Sequence, residues 1–198
     1  MKLYRPVGLK ELELILAANA KAYPPRLQWQ PIFYPVLNFE YARQIATRWN
    51  LDDELSGYAG FVTAFDIDDA YIAQFEVQNV GAHLHNELWI PAENLAEFNT
   101  HIQGYIQLLA AYYGEKYAGK VQHASVMVGL NAFEQLNYLA QLPKNDQAIA
   151  EVIKTDTVAI QVNFAYWQQT NQHPQTLARL QSIWQAIFPE RTLGMNQK

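Results

Sequence analysis

Glu87 stands in the run HLHNELWIPAENL, between polar residues and Leu88-Trp89-Ile90. A strand entering a core ordinarily avoids a full charge at that point. A carboxylate placed there could hydrogen-bond a sugar hydroxyl and stabilise an oxocarbenium-like centre beside it, or it could be a rim residue turned to solvent. Arg5, next to Tyr4 in KLYRPV, carries a fixed charge and a fork of donors suited to phosphate or ribose oxygens; its plainer role is an ion pair with a nearby acid. Tyr23, Phe33, Tyr34 and Tyr41 surround a proline-rich loop and a short strand. Such rings could grip a planar heterocycle by stacking, and core packing explains them equally, Phe33 above all. Arg26 follows Pro24-Pro25 on a stiff loop, where it could reach an anion or simply be solvated.

Other constellations lack a needed part. His83 and His85 alternate as metal ligands on a strand would, but spacing suggests no third ligand. Asp66, Asp68 and Asp69 lack the glycine and terminal glutamate of a calcium loop and read as a helix cap and first turn. Neither G-x-S-x-G nor H-E-x-x-H occurs.

The elements that must position these residues are legible in outline. KLYRPV reads as a strand ended by Pro6 and Gly8, and LKELELILAANA as a helix with Leu9, Leu12, Ile15 and Leu16 on one face. AYPPRLQWQP is a loop, and IFYPVL a short strand broken at Pro35. Asn38 caps a helix over FEYARQIATRWN, with Tyr41, Ala42, Ile45 and Trp49 on its apolar side. GFVTAFDID is a strand, DDAYIAQF a short helix begun by Asp68, EVQNVG and NELWIP strands, and AENLAEFNTHI a helix with Pro91 near its first turn. Beyond Tyr113 only QHASVMVG has strand character. NAFEQLNYLAQL, NDQAIAEVIKTDTVAIQVNFAYWQQ and PQTLARLQSIWQAIF read as amphipathic helices, with breaks at GEKYAGK and LPKND.

Half of the 198 residues are apolar, with twelve Tyr, nine Phe and five Trp, enough for a sizeable core. The net charge is −5 and the fourteen basic residues are scattered, so a duplex nucleic acid is not a favoured partner. There is no cysteine, which removes disulfides and thiolate metal sites. The start imitates a signal peptide, but Glu11 and Glu13 interrupt its apolar run. No apolar run is long enough to span a bilayer, so no membrane partner is expected and the cytoplasm is the default location.

The order LYRPV, GLKELELILAANA, a loop, IFYPVLNFEYARQIA, GFVTAFDID and NELWIPAENL resembles the ADP-ribosyltransferase fold over roughly residues 1–113. It looks closest to small bacterial proteins that carry the label ADP-ribosylation/crystallin J1, most distinctively in PPRLQWQPIFYPVLNFEYA. The resemblance implies an α+β class: a split antiparallel β core with flanking helices around a nicotinamide cleft, with NAD as co-substrate. It implies an NAD-binding role for Arg5; Tyr4, beside it, and Arg26, on the stiff loop, are further candidate cofactor contacts from their own positions in the chain. Phe33 or Tyr34, together with Tyr41, fall at the places of nicotinamide-stacking rings, and Glu87 at that of the catalytic glutamate. Arginine-modifying relatives carry a second acid two residues before that glutamate; here His85 occupies the place, so the acceptor stays open.

The expectation is therefore an ADP-ribosyltransferase-like domain over 1–113 with a mainly helical extension over 114–198 packed on it. Its site would be one slot walled by Arg5 and two rings with Glu87 at the floor, moving ADP-ribose from NAD to an unknown acceptor or to water. The alternatives are a non-catalytic nucleotide- or partner-binding module of the same fold, and a scaffold that oligomerises through the C-terminal helices with Trp167 and Trp184 at the interface.

Overall fold

The computed structural model describes residues 1–195, which form two compact units, Met1–Glu115 and a second from Lys116 onward. The fold is mixed α+β, with small antiparallel sheets and, among the described residues, eight α-helices. None of these helices is long and apolar enough to cross a membrane.

In the first unit, β1 (Lys2–Val7) is followed by α1 (Leu9–Ala17), β2 (Ile32–Phe33), α2 (Phe39–Arg48), β3 (Ala59–Ile67), α3 (Asp69–Ile72), β4 (Val77–Asn79), β5 (Asn86–Leu88), β6 (Ile90–Pro91), a 3₁₀ turn, α4 (Leu95–Thr100) and β7 (Ile102–Tyr113). The central sheet is antiparallel in the order β1-β3-β7, with Tyr4 opposite Ala64 and Arg5 opposite Thr63. β3 lies in the middle and is buried along nearly its whole length, as expected of a strand of Val, Phe, Thr and Ala covered on both faces. The extended residues around Val36 add a further rung. Val36 exchanges both backbone hydrogen bonds with Tyr4, and its neighbours Pro35 and Leu37 bond to Leu88 and Asn86. β5 is thereby tied to β1 through a single intervening rung, and β4 pairs with the outer side of β5.

Side chains alternate across a sheet, and directly opposed residues share a face. One face therefore carries Leu3, Arg5, Phe61, Thr63 and Phe65, packed with Tyr23, Phe33 and Phe98 into an aromatic core. The other carries Tyr4, Val36, Val62 and Glu87, and is covered by α2 through Tyr41, Ala42 and Ala46. α2 comes so close that a Cβ on Gly60 would lie 2.0 Å from the Ala46 carbonyl oxygen. Gly60→Ala must push a helix backbone off the sheet, and is expected to cost about 1–3 kcal/mol in denaturant unfolding.

The second unit contains α5 (Ala132–Gln141), α6 (Asp146–Thr155), α7 (Thr157–Thr170) and α8 (Pro174–Ile187). α7 is buried on almost every side from Ala159 to Trp167. Inside it, Asn163 donates to the Gly119 carbonyl and to Gln135 Oε1, both at 2.9 Å, and accepts from the Tyr117 hydroxyl at 2.6 Å.

Several expectations are corrected. IQGYIQLLAAYY, which carries no clean alternation, is the twelve-residue strand β7, because pairing along β3 decides its state where propensity does not. QHASVMVG forms no strand; it is a loop whose amides are held by Asp156. The long helix expected through Thr155 is broken there into α6 and α7. Trp49 caps α2 and is exposed rather than buried on its apolar side. Trp167 and Trp184 do not offer an oligomer surface. They are 1% and 0% exposed in their own unit, and their indole N–H groups donate to the carbonyls of Ala132 and Arg191.

Candidate functional site

Glu87 sits on β5 with only 8% of its surface exposed. A charge at that depth needs donors, and two are supplied. Trp89 Nε1 donates to Oε1 at 2.7 Å, and the Tyr41 hydroxyl donates to Oε2 at 3.2 Å. Trp89 reaches the carboxylate because residues two apart on an extended chain point the same way. The chain changes partner at this residue: β5 pairs with β4, whereas β6 pairs with β2. Tyr41 reaches it because α2 starts at a fixed place. The Asn38 side chain accepts from Tyr41 N at 2.8 Å, while Leu37 N bonds to Asn86 O.

Further ring contacts extend outward from these two groups. The Tyr41 ring stacks on His85 with centroids 4.4 Å apart and planes inclined by 22°. His85 Nδ1 accepts from Ala82 N, which makes Nε2 the donor to Gln44 Oε1 at 3.1 Å. Tyr34, about one-third exposed, meets Trp89 edge to face at 6.3 Å, and Trp89 is itself 45% exposed. Tyr4, on the same face, packs edge-on against Phe39. Tyr4, Tyr34, Tyr41 and Glu87 are thus brought to one face of the sheet.

Arg5, Arg26 and Phe33 are not. Arg5 follows Tyr4 on β1 and so points to the opposite face. There its Nε and Nη2 grip Glu11 at 3.0 and 3.2 Å, Nη1 donates to the Tyr34 carbonyl at 3.0 Å, and the guanidinium lies 4.7 Å from the centre of the Phe33 ring. Arg26 donates from Nε to Ile32 O at 3.1 Å and brings Nη1 to 3.9 Å from the same Glu11. Phe33 is fully buried against Tyr23 and Phe98 and presents no ring face to a ligand. The expected slot walled by Arg5 and two rings is therefore corrected: the sheet separates the guanidinium from the acid.

Glu11, Trp89 and His85 take part in these networks and were not assigned such roles from the sequence. The i, i+2 spacing to Glu87 is the signal that could have found Trp89. Nothing local marks Glu11, whose contact with Arg5 depends on the turn at Gly8.

Burial, then the charge and hydrogen bond of Glu87, push the Tyr41 hydroxyl up to about 12. A raised value means that the fold favours the neutral phenol. That contribution is complete below pH ~10, the free tyrosine value, and is lost as pH climbs through the folded value. Subtracting the alkaline absorbance titration of Tyr41→Phe from that of the wild type isolates this one ionisation. It is expected at about 12, and to move down, though not fully to the free value, in Glu87→Gln.

No protein-family model matches the chain, and no curated protein or solved structure matches it either.

Proposed function

We propose that the face carrying Glu87 is an NAD site of ADP-ribosyltransferase type, on the corresponding split-β fold, at which nicotinamide leaves and ADP-ribose passes to an acceptor or to water. The observation that supports this reading is a buried carboxylate surrounded by rings: Glu87 between Tyr41 and Trp89, with Tyr34 at the rim. In this reading Glu87 orients a ribose hydroxyl and offsets the positive charge that builds on the sugar carbon. The bond from that carbon to the pyridinium nitrogen breaks with its electron pair going to nicotinamide. The acceptor oxygen or nitrogen forms the new bond and gives its proton to solvent. Tyr34 and Trp89 offer exposed aromatic surface for the nicotinamide, and Tyr41 holds the carboxylate.

A non-catalytic nucleotide- or partner-binding module of the same fold is the second reading. It is favoured by the internal use of the acid: each Glu87 oxygen already accepts one hydrogen bond from within the protein. Calorimetry with NAD, paired with nicotinamide release by wild type and Glu87→Gln, separates the two. An enzyme binds NAD and loses its turnover in the variant, whereas a module binds NAD and releases nothing.

A further inference from the structure

On the opposite face from Glu87, a cavity of about 440 Å³ opens between the start of α1, the proline loop and the turn at residues 53–56. None of Tyr34, Tyr41 or Glu87 lines it. Its size is that of small-molecule sites, and its lining sets Leu14, Leu27, Trp29 and Leu55 beside the charged Lys10, Glu11, Arg26 and Asp53. Three large apolar side chains stand in water around it: Trp29 is 76% exposed, Leu27 51% and Leu55 89%. Exposed apolar groups gathered at the mouth of a concavity mark a binding surface more often than a bare one.

The polar end of the cavity holds a guanidinium whose donors are not all used. Glu11 is already held by two nitrogens of Arg5, at 3.0 and 3.2 Å. Arg26, with a side chain only 9% exposed, has that same carboxylate at 3.9 Å, too far for a hydrogen bond. Two guanidinium groups thus share one acid, and the Arg26 Nη groups keep donors beyond these contacts. Its Nε is pinned to Ile32 O and its backbone follows two prolines, so the charge is held in place without a ligand. Burial and the charge of Arg5 both pull the Arg26 pKa below its ordinary value. Lys10 pairs with Glu13 at 3.5 Å, whereas Asp53 brings a carboxylate to the rim that accepts from the amides of Leu55 and Ser56 and from the Ser56 hydroxyl, so the anion-binding donors are those of Arg26 and not of a net positive rim.

We infer that this cavity binds a small organic oxyanion with a flat apolar body, its anionic head on Arg26 and its body against Trp29 and Leu55. The inference is independent of the NAD reading, since the two sites share no residue.

Isothermal titration with phenyl phosphate, benzoate and neutral benzyl alcohol tests it on the full chain. At least one of the two anions is expected to bind one site with a Kd on the order of 1 mM or tighter, and benzyl alcohol at least tenfold more weakly. The better anion identifies the head group as phosphate or carboxylate. Arg26→Gln is expected to weaken anion binding about tenfold or more. Because that change also touches the Ile32 contact, Trp29→Ala and Leu55→Asp supply substitutions on exposed side chains that leave the core alone. Trp29→Ala is expected to weaken the anion about five- to tenfold. Leu55→Asp, which removes an apolar contact and sets a like charge at the rim, is expected to weaken the anion by a larger factor than benzyl alcohol. The inference is overturned if neither anion binds at 10 mM (roughly ten times the expected Kd), if benzyl alcohol binds as well as they do, or if the variants bind like wild type. Nicotinamide release is not read in this experiment, so its failure leaves the Glu87 proposal standing.

Discussion

Glu87→Gln is expected to slow nicotinamide release from NAD on the order of 10²–10³-fold, the range seen when a group stabilising transition-state charge is removed. The substitution is a clean one for this site. The Trp89 indole can only donate, so the glutamine carbonyl oxygen must face it; the amide NH₂ then faces the Tyr41 hydroxyl, which can accept. Both hydrogen bonds survive with one reversed in direction, the volume is unchanged, and only the charge is lost. The fold is therefore expected to hold, with a denaturation midpoint close to wild type, while turnover falls. Chromatographic quantification of nicotinamide, alongside calorimetry with NAD, checks this. Equal rates in wild type and variant would remove Glu87 from the chemistry. Binding without release in either protein would leave the nucleotide-binding module, and no binding at all would end the NAD reading and leave only a partner-binding module.

The elements set by local chemistry could be read directly from the chain. Asn38 and Asp68 cap the helices expected of them, each side chain accepting from the amide three residues on. The prolines at 24, 25, 31 and 35 confine strand structure in that region to Ile32–Phe33 and the single rung at Val36. The partial burial of the strand that carries Glu87 could be read from Leu88 and Ile90, but not whether Glu87 itself turns inward or to solvent. What could not be read was the face on which each side chain lands. Strand side chains have a period of two, so a shift of one residue in the register of Val36 would exchange the faces of Arg5 and Tyr4 relative to Glu87. Only the long-range pairing of residues 4, 36 and 87 fixes this, and it put the expected guanidinium on the wrong side of the sheet. β7 escaped notice for a related reason: its state is decided by β3, some forty residues earlier in the chain.

Asp156→Ala is expected to destabilise the helical unit by about 3–5 kcal/mol, the cost typical of breaking up a buried charged network. The residue lies at the junction of α6 and α7 and is fully buried. Its carboxylate does not bond the first turn of its own helix. It turns instead to the loop before α5, accepting from Ser125 N at 2.7 Å, Met127 N at 3.0 Å and Val126 N at 3.3 Å, with Thr155 Oγ1 donating at 2.7 Å. The buried negative charge is answered by this cluster of amides and by the positive end of α7. Three successive amides facing one carboxylate also explain why the apolar run Val126-Met127-Val128 is a loop: Ser125, Val126 and Met127 donate to Asp156 and Val128 N turns back to Ser125 O, so none is spent on a neighbouring strand. Alanine leaves those amides without an acceptor in a dry site, so the loop must open or admit water, exposing Met127 and the α5 side of the core. Asparagine keeps one carbonyl acceptor but aims an NH₂ at donors, so Asp156→Asn is expected to fall between wild type and alanine. Denaturant unfolding followed by indole fluorescence reports on this unit through Trp167 and Trp184, both buried there. An alanine variant within about 1 kcal/mol of wild type, the scale of an ordinary single substitution, would mean that the loop is held by its own packing and that the carboxylate is incidental to it.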